Sequence, residues 1–149
     1  MPPGSVLITG CSDGGIGSAL ALTFQQRGFQ VFATARDITK MSELKELSNV
    51  TLLTLDITNT EQIRESVNAV TKATGGSLDY LINNAGHNHF KPILDENLKE
   101  TKELFDTNVW GPLAVTQAFS QLILQAKGSF IFITSIAGYG NTPWMGKSS

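Results

Sequence analysis

Short apolar runs recur along the chain at 5–8, 30–35, 50–55, 78–82 and 129–134, each of strand length. Between them the apolar positions recur every three or four residues, the spacing of a helix. Ile16, Leu20 and Phe24, with Ala19 and Thr23 beside them, predict a first helix closed by Gly28. Met41, Leu44 and Leu47 predict a short helix after the second strand. Thr58-Asn59-Thr60-Glu61 fits a capping box that opens a helix carrying Ile63, Val67 and Val70 and ending near Gly75-Gly76. A long helix is expected over 96–125, with Leu98, Thr101, Phe105, Val109, Leu113, Thr116 and Ile123 on its apolar side and Gly128 at its close. Strands alternating with helices predict an α/β fold whose parallel strands are joined by right-handed crossovers.

The first strand runs into Thr9-Gly10-Cys11-Ser12-Asp13-Gly14-Gly15-Ile16-Gly17, and the first helix follows at once. Strand, glycine turn and helix form the context a dinucleotide fingerprint requires. A helix start presents unpaired N–H groups and a partial positive charge, and glycines let the backbone come close to a diphosphate. Gly10, Ser12, Gly15, Ile16 and Gly17 are the expected contacts. By analogy with doubly wound folds, the expected architecture is a Rossmann-like sheet of about five strands in the order 3-2-1-4-5 with helices on both faces. At the end of the second strand stands Arg36-Asp37. An arginine here accommodates a 2′-phosphate and an acid holds ribose hydroxyls, so Arg36 favours NADP(H) over NAD(H), with Asp37 as a competing carboxylate.

Composition narrows the function classes. The 149 residues are 41% hydrophobic and 16% charged, as in a folded domain, and residues 1–149 are expected to form a single dinucleotide-binding unit. A net charge of −2 gives no broad field for nucleic acid or anionic lipid. No basic-then-apolar leader and no membrane-spanning stretch are expected. The single cysteine, Cys11, excludes an internal disulfide and fits a reducing, cytoplasmic setting. At a helix start it is either a reactive thiol or a small loop residue. His87 and His89 read as loop residues, substrate-pocket or acid/base groups, and a metal site is not expected because neither has a carboxylate or cysteine at ligand spacing.

Three further motifs complete a resemblance. The fourth strand ends in Asn83-Asn84-Ala85-Gly86, Asn108-Val109-Trp110-Gly111-Pro112 interrupts the long helix, and Ser135 follows the fifth strand. Pro112 cannot donate to the carbonyl of Asn108, which frees that carbonyl. With the glycine turn, these motifs resemble the short-chain dehydrogenase/reductase family. The wording at 6–12 and 31–36 resembles its fungal branch acting on acyl-dihydroxyacetone phosphate. The resemblance implies an NADP(H)-dependent oxidoreductase for a ketone or secondary alcohol, such as a lipid or secondary metabolite. It implies adenine contacts at Asp56 and Ile57, although Asp56 also suits the local turn. Asn84, Ala85 and Gly86 would then border the ribose and nicotinamide. Asn108 would organise a proton relay, and Ser135 would hydrogen-bond the substrate carbonyl.

The family's Tyr-x-x-x-Lys pair has no counterpart. Its register falls on Ser148, Tyr139 is followed four residues on by Pro143, and Lys147 has no tyrosine four before it. The expectation is a chain truncated before that pair, lacking the C-terminal part of the usual fold. Its fifth strand, Phe130-Ile131-Phe132-Ile133, would be an uncovered apolar edge, with Trp144-Met145 a short candidate cover. Three functional classes remain open. They are an oxidoreductase; a half-domain acting as a non-redox catalyst or as partner of a full-length homologue; and a truncated product without independent activity. Association through the fifth strand and the long helix, as a homo-oligomer or with another chain, is expected in the first two.

Overall fold

The computed structural model describes residues 2–140. Pro143, Trp144, Met145, Lys147 and Ser148, named above, lie outside the described residues. Five parallel strands form one sheet: β1 (Ser5–Thr9), β2 (Gln30–Ala35), β3 (Val50–Thr54), β4 (Tyr80–Asn83) and β5 (Ser129–Phe132). Their order is β3-β2-β1-β4-β5, as the sequence predicts. β1 lies at the centre, with Leu7 beside Phe32 on one side and Leu81 on the other.

Parallel strands covered on both faces must be apolar on both, and β1 and β2 are. Leu7 and Phe32 point to the layer of α2 (Thr60–Thr74) and α4 (Gly111–Ala126), where Ile63, Val70, Val115, Phe119 and Leu122 meet them. Val6, Ile8, Val31, Ala33 and Ala35 point to the opposite layer, formed by α1 (Ile16–Gln26) and the turns that bury Met41 and Leu44.

Four expectations need correction. The helix predicted around Met41–Leu47 is a pair of 3₁₀ turns, Ile38–Lys40 and Ser42–Leu44. Polar side chains divert the backbone there: Asp37 accepts from the Thr39 N–H, and Asp13 accepts from the N–H groups of Ser42 and Glu43. The N-cap of α2 is Asn59, which accepts from the N–H groups of Glu61 and Gln62. Thr58 is instead drawn to Asp56 by its N–H and hydroxyl, and Glu61 pairs with Arg64.

α1 lays Gly17, Ser18 and Ala21 on the sheet, while Ile16, Ala19 and Thr23 are exposed. Small residues on the helix face small residues on β2, so the two lie close. The long helix is three segments: α3 (Leu98–Phe105), a π turn (Asp106–Trp110) and α4. Its predicted apolar side is largely in water, with Leu98 78% and Leu113 47% exposed, although Ile123 is buried in the core as expected. The face that packs inward carries Leu104, Val115, Phe119 and Leu122. Periodicity alone does not say which stripe of a two-striped helix meets the sheet.

The π turn lies where Pro112 withholds a donor, and the Gly111 N–H reaches back five residues to the Asp106 carbonyl. β5 is a sheet edge as expected, with Phe132 49% and Ile133 40% exposed. Among the described residues no helix is long and apolar enough to cross a membrane.

The register of α4 is testable. Phe119→Ala should cost about 3–5 kcal/mol, the range for a buried aromatic truncated to alanine. Leu124→Ala, on the exposed face, should fall within about 0.5 kcal/mol of the parent. Urea unfolding of both variants checks this, and equal losses would contradict the orientation.

Candidate functional site

The carboxyl ends of β1, β2 and β4 and the segment after β3 open onto one cavity of about 530 Å³. This is the crevice where a parallel sheet of this order binds ligands. Gly10, Ser12, Asp13, Gly14, Gly15 and Ile16 form one wall. Arg36, Asp56, Ile57 and Thr58 form the second, and Asn84, Ala85, Gly86, His87 and Thr107 the third. Ten of the thirteen residues singled out by sequence are therefore brought together.

The first wall is an unfinished helix end. α2 and α3 are capped by the side chains of Asn59 and Asn97, but α1 begins at Gly15 without a side-chain cap and without an acid in its first turn. Its first N–H donors are thus left to water or to an anion. Asp13 ties this loop to the 3₁₀ segment. Its carboxylate accepts from the Ser42 hydroxyl at 2.7 Å and the Ser42 N–H at 2.9 Å. The Ser42 hydroxyl foremost, with the two backbone donors, holds the Asp13 carboxyl below the usual carboxylate range. In the sequence Asp13 stands out only as a polar residue of the glycine turn, because its partner Ser42 lies 29 positions further on.

In the second wall the Arg36–Asp37 pair separates. Arg36 lines the cavity and Asp37 does not. The Asp37 carboxylate accepts from the Thr39 hydroxyl at 2.6 Å and the Thr39 N–H at 3.0 Å, which lowers its pKa. Asp56 lines the cavity and also makes the local turn with Thr58.

The third wall is anchored across the sheet. Asn84 Nδ2 donates to the carbonyls of Thr9 at 2.8 Å and Gly10 at 3.0 Å. The Thr9 hydroxyl accepts from the N–H groups of Asn84 and Ala85, both at 3.0 Å. Gly17 does not line the cavity; it is a packing residue. A Cβ there would overlap the Gly10 carbonyl oxygen and sit 2.6 Å from Asn84 Nδ2. Gly10 has φ +75°, and a Cβ on it would lie 2.9 Å from Ala85 Cα. Two backbones therefore approach here as only glycine permits.

Asn108 and Ser135 also lie off the cavity wall. Asn108 acts on it indirectly: its Oδ1 accepts from the His87 N–H at 3.1 Å and its Nδ2 donates to the His87 carbonyl at 2.9 Å. Both bonds are made by the π turn to the loop that follows Gly86. Ser135 is exposed beyond β5, where its hydroxyl accepts from the Ala137 N–H at 3.2 Å. Cys11 is the small buried loop residue, not the reactive thiol: burial pushes it up to about 12. The expectation that neither histidine has a carboxylate partner is corrected, since folding brings His89 Nε2 to 3.3 Å from Glu96 Oε2.

Removing the anchor should cost stability. Asn84→Asp replaces a double donor by an acceptor facing two carbonyls, and Asn84→Ala leaves both carbonyls without it. Each should cost about 1–3 kcal/mol, the range for orphaning buried hydrogen-bonding groups. Urea midpoints measure this, and a neutral Asn84→Asp would contradict the anchoring role.

Comparison with known proteins agrees with this geometry. The family model described as short chain dehydrogenase matches residues 5–148. A short-chain dehydrogenase of Penicillium crustosum, PC-15, is 49% identical over 142 residues, covering 95% of this chain and 52% of its own length. An NADPH-dependent 1-acyldihydroxyacetone phosphate reductase of Schizosaccharomyces pombe is 43% identical over 134 residues, covering 90% of this chain and 45% of its own. A short-chain dehydrogenase structure from Streptomyces avermitilis superposes with a TM-score of 0.89 at 28% identity, covering 99% of this chain and 55% of its own. The structure of ElxO with NADP bound superposes with a TM-score of 0.86 at 25% identity, covering 99% and 61%. The chain spans about half the length of the curated relatives it matches. On sequence and on fold alike, this chain belongs to the short-chain dehydrogenase family.

Proposed function

We propose that this chain forms the NADP(H)-binding part of an oxidoreductase that interconverts a ketone and a secondary alcohol. The observation that carries the reading is the uncapped start of α1 opening into the same cavity as Arg36. The residues present fit a dinucleotide: unpaired helix N–H groups suit a diphosphate, and a guanidinium with no ion pair among the described residues suits a 2′-phosphate. Gly10, Ser12, Gly15 and Ile16 would hold the diphosphate, with Gly17 keeping the turn tight. Asp56 and Ile57 would border the adenine, and Asn84, Ala85 and Gly86 the ribose and nicotinamide. When bound, a reduced nicotinamide supplies a hydride. Asn108 would fix the loop of His87 at the nicotinamide end, and Ser135 would orient the substrate carbonyl. The NADPH-dependent relative and the NADP-bound neighbour support the same cofactor. A reducing, cytoplasmic setting belongs to this reading and rests on the free thiol of Cys11.

Arg36→Asp tests the cofactor preference by calorimetric titration with each dinucleotide. NADPH affinity should fall about tenfold to a hundredfold, the worth of a charge-assisted contact, while NADH affinity changes little. Equal losses would show that Arg36 does not read the phosphate. Absence of binding to either dinucleotide by the parent chain would remove the oxidoreductase reading.

A second observation favours association. Phe105, Val109 and Leu113 form one exposed stripe at helical spacing with Trp110 beside them, and β5 leaves Phe132 and Ile133 uncovered. Such contiguous apolar surface marks an interaction face. We infer contact with a second copy or with another chain through these elements. Light scattering of the parent should give a mass above the monomer, and Trp110→Glu should lower it. A monomeric parent would contradict the inference.

A further inference from the structure

An acid stands in the turn to which the diphosphate is assigned. Ser12, Asp13, Gly14 and Gly15 make one hydrogen-bonded turn, closed by the Gly15 N–H donating to the Ser12 carbonyl at 3.1 Å. All four residues line the cavity. By Coulomb's law alone a carboxylate here opposes an incoming phosphate. We propose that Asp13 is a positioning residue for the dinucleotide: acting through Ser42 and Glu43, it holds the turn in the shape that receives the diphosphate. This rests on the dinucleotide reading above and deepens it.

Both carboxylate oxygens are engaged. Oδ2 accepts from the Ser42 hydroxyl at 2.7 Å and the Ser42 N–H at 2.9 Å, and Oδ1 accepts from the Glu43 N–H at 3.1 Å. The Asp13 N–H donates to the Lys40 carbonyl at 2.7 Å. The segment it grips is firmly seated, because Met41 and Leu44 on either side of Ser42 and Glu43 are fully buried in the α1 layer. Glu43 extends the grip. Its carboxylate accepts from the hydroxyl of Ser18, in the first turn of α1, at 3.4 Å. One short segment therefore holds the start of α1 from both sides of Gly15-Ile16.

The backbone of the turn shows what this hold achieves. The N–H groups of Cys11, Asp13 and Gly15 donate to the carbonyls of Thr34, Lys40 and Ser12. Those of Ser12, Gly14 and Ile16 meet no acceptor among the described residues, and all three residues line the cavity. Alternate amides are thus tied to protein and left for an anion, as in other backbone anion cradles. A turn released from Ser42 and Glu43 would have to be ordered again by each ligand, which weakens binding. The carboxylate thus has two opposed effects, repulsion of phosphate and hold on the turn. Three donors offset its charge, and the hold prevails.

Calorimetric titration of the full chain with NADPH and with NADH separates the two effects. Asp13→Asn removes the charge but keeps an oxygen for the Ser42 hydroxyl and N–H. It should bind both dinucleotides within about threefold of the parent or more tightly. Asp13→Ala removes the acceptor, and should weaken both about tenfold and by the same factor, since both carry the diphosphate. Ser42→Ala should weaken binding less than Asp13→Ala and add nothing in the Asp13→Ala background. Amide exchange over 11–17 in the ligand-free chain should quicken in Asp13→Ala. Asp13 and Ser42 are exposed, so these variants leave the core intact. A merely structural role would lower the urea midpoint of Asp13→Ala and leave the affinity of the folded chain unchanged. Asp13→Ala that binds as tightly as the parent, or loses affinity for NADPH alone, would overturn the proposal and leave the dinucleotide reading standing. Asp13→Asn as weak as Asp13→Ala would overturn it too. A parent chain that binds neither dinucleotide would remove that reading and this proposal together.

Discussion

The molecule turns on one close approach: the backbone after β1 and the backbone after β4 meet at a distance that admits no side chain between them. Gly10 lies against Ala85, and Gly17 lies against Gly10 and Asn84. The Asn84 amide bridges the gap by donating to two carbonyls, and the Thr9 hydroxyl answers with two acceptances. This contact fixes where α1 starts, because Gly17 is in its first turn. It thereby aims the uncapped N–H groups of α1 into the cavity and places Ala85 and Gly86 on the opposite wall. A bulkier residue at either glycine would push α1 off the sheet and widen the crevice together.

Much of this was legible in the sequence because glycine and asparagine have few other uses in such positions. The glycine turn and the Asn-Ala-Gly wall follow from residues whose backbone demands are narrow, and the strand order from analogy with doubly wound folds. What was not legible depended on long-range partners. The Asp13 carboxylate meets Ser42 across 29 positions, and the resulting bond replaced a predicted helix by two 3₁₀ turns. His89 meets Glu96 only once the 87–97 loop has folded back. Leu98, Phe105, Val109 and Leu113 are as apolar as any core stripe, yet they face outward because Val115, Phe119 and Leu122 reach the sheet first.

The Arg36–Asp37 junction shows how local hydrogen bonding separates two adjacent charges. As sequence the two residues point to opposite cofactors. In the fold, Asp37 spends one carboxylate oxygen on the Thr39 N–H and hydroxyl, and its preference for the charged state comes from those bonds. Arg36 is left as the cation on the cavity wall. Asp13 lines the same cavity from the first wall, but its oxygens are engaged by Ser42 and Glu43. A carboxylate satisfied by three donors presents less unbalanced charge to an incoming phosphate than a bare one. What this cavity offers an anion is therefore local: the Arg36 guanidinium and the uncapped N–H groups at the start of α1.

The two edges of the sheet are built for different surroundings. β3 ends the sheet with Thr51 and Thr54 exposed, side chains that water solvates. β5 ends it with Phe130, Phe132 and Ile133 at least partly exposed, and Leu124 and the Phe105–Leu113 stripe lie on the helices that precede it. An apolar parallel strand without charge or proline has no device against pairing. The asymmetry is not a by-product of the buried core, because both hydrophobic clusters are complete on the β1 and β2 side without these residues. Their hydrophobicity contributes little to the described fold by itself. An uncovered apolar edge is the kind of surface that pairs with further protein, which is the association proposed above.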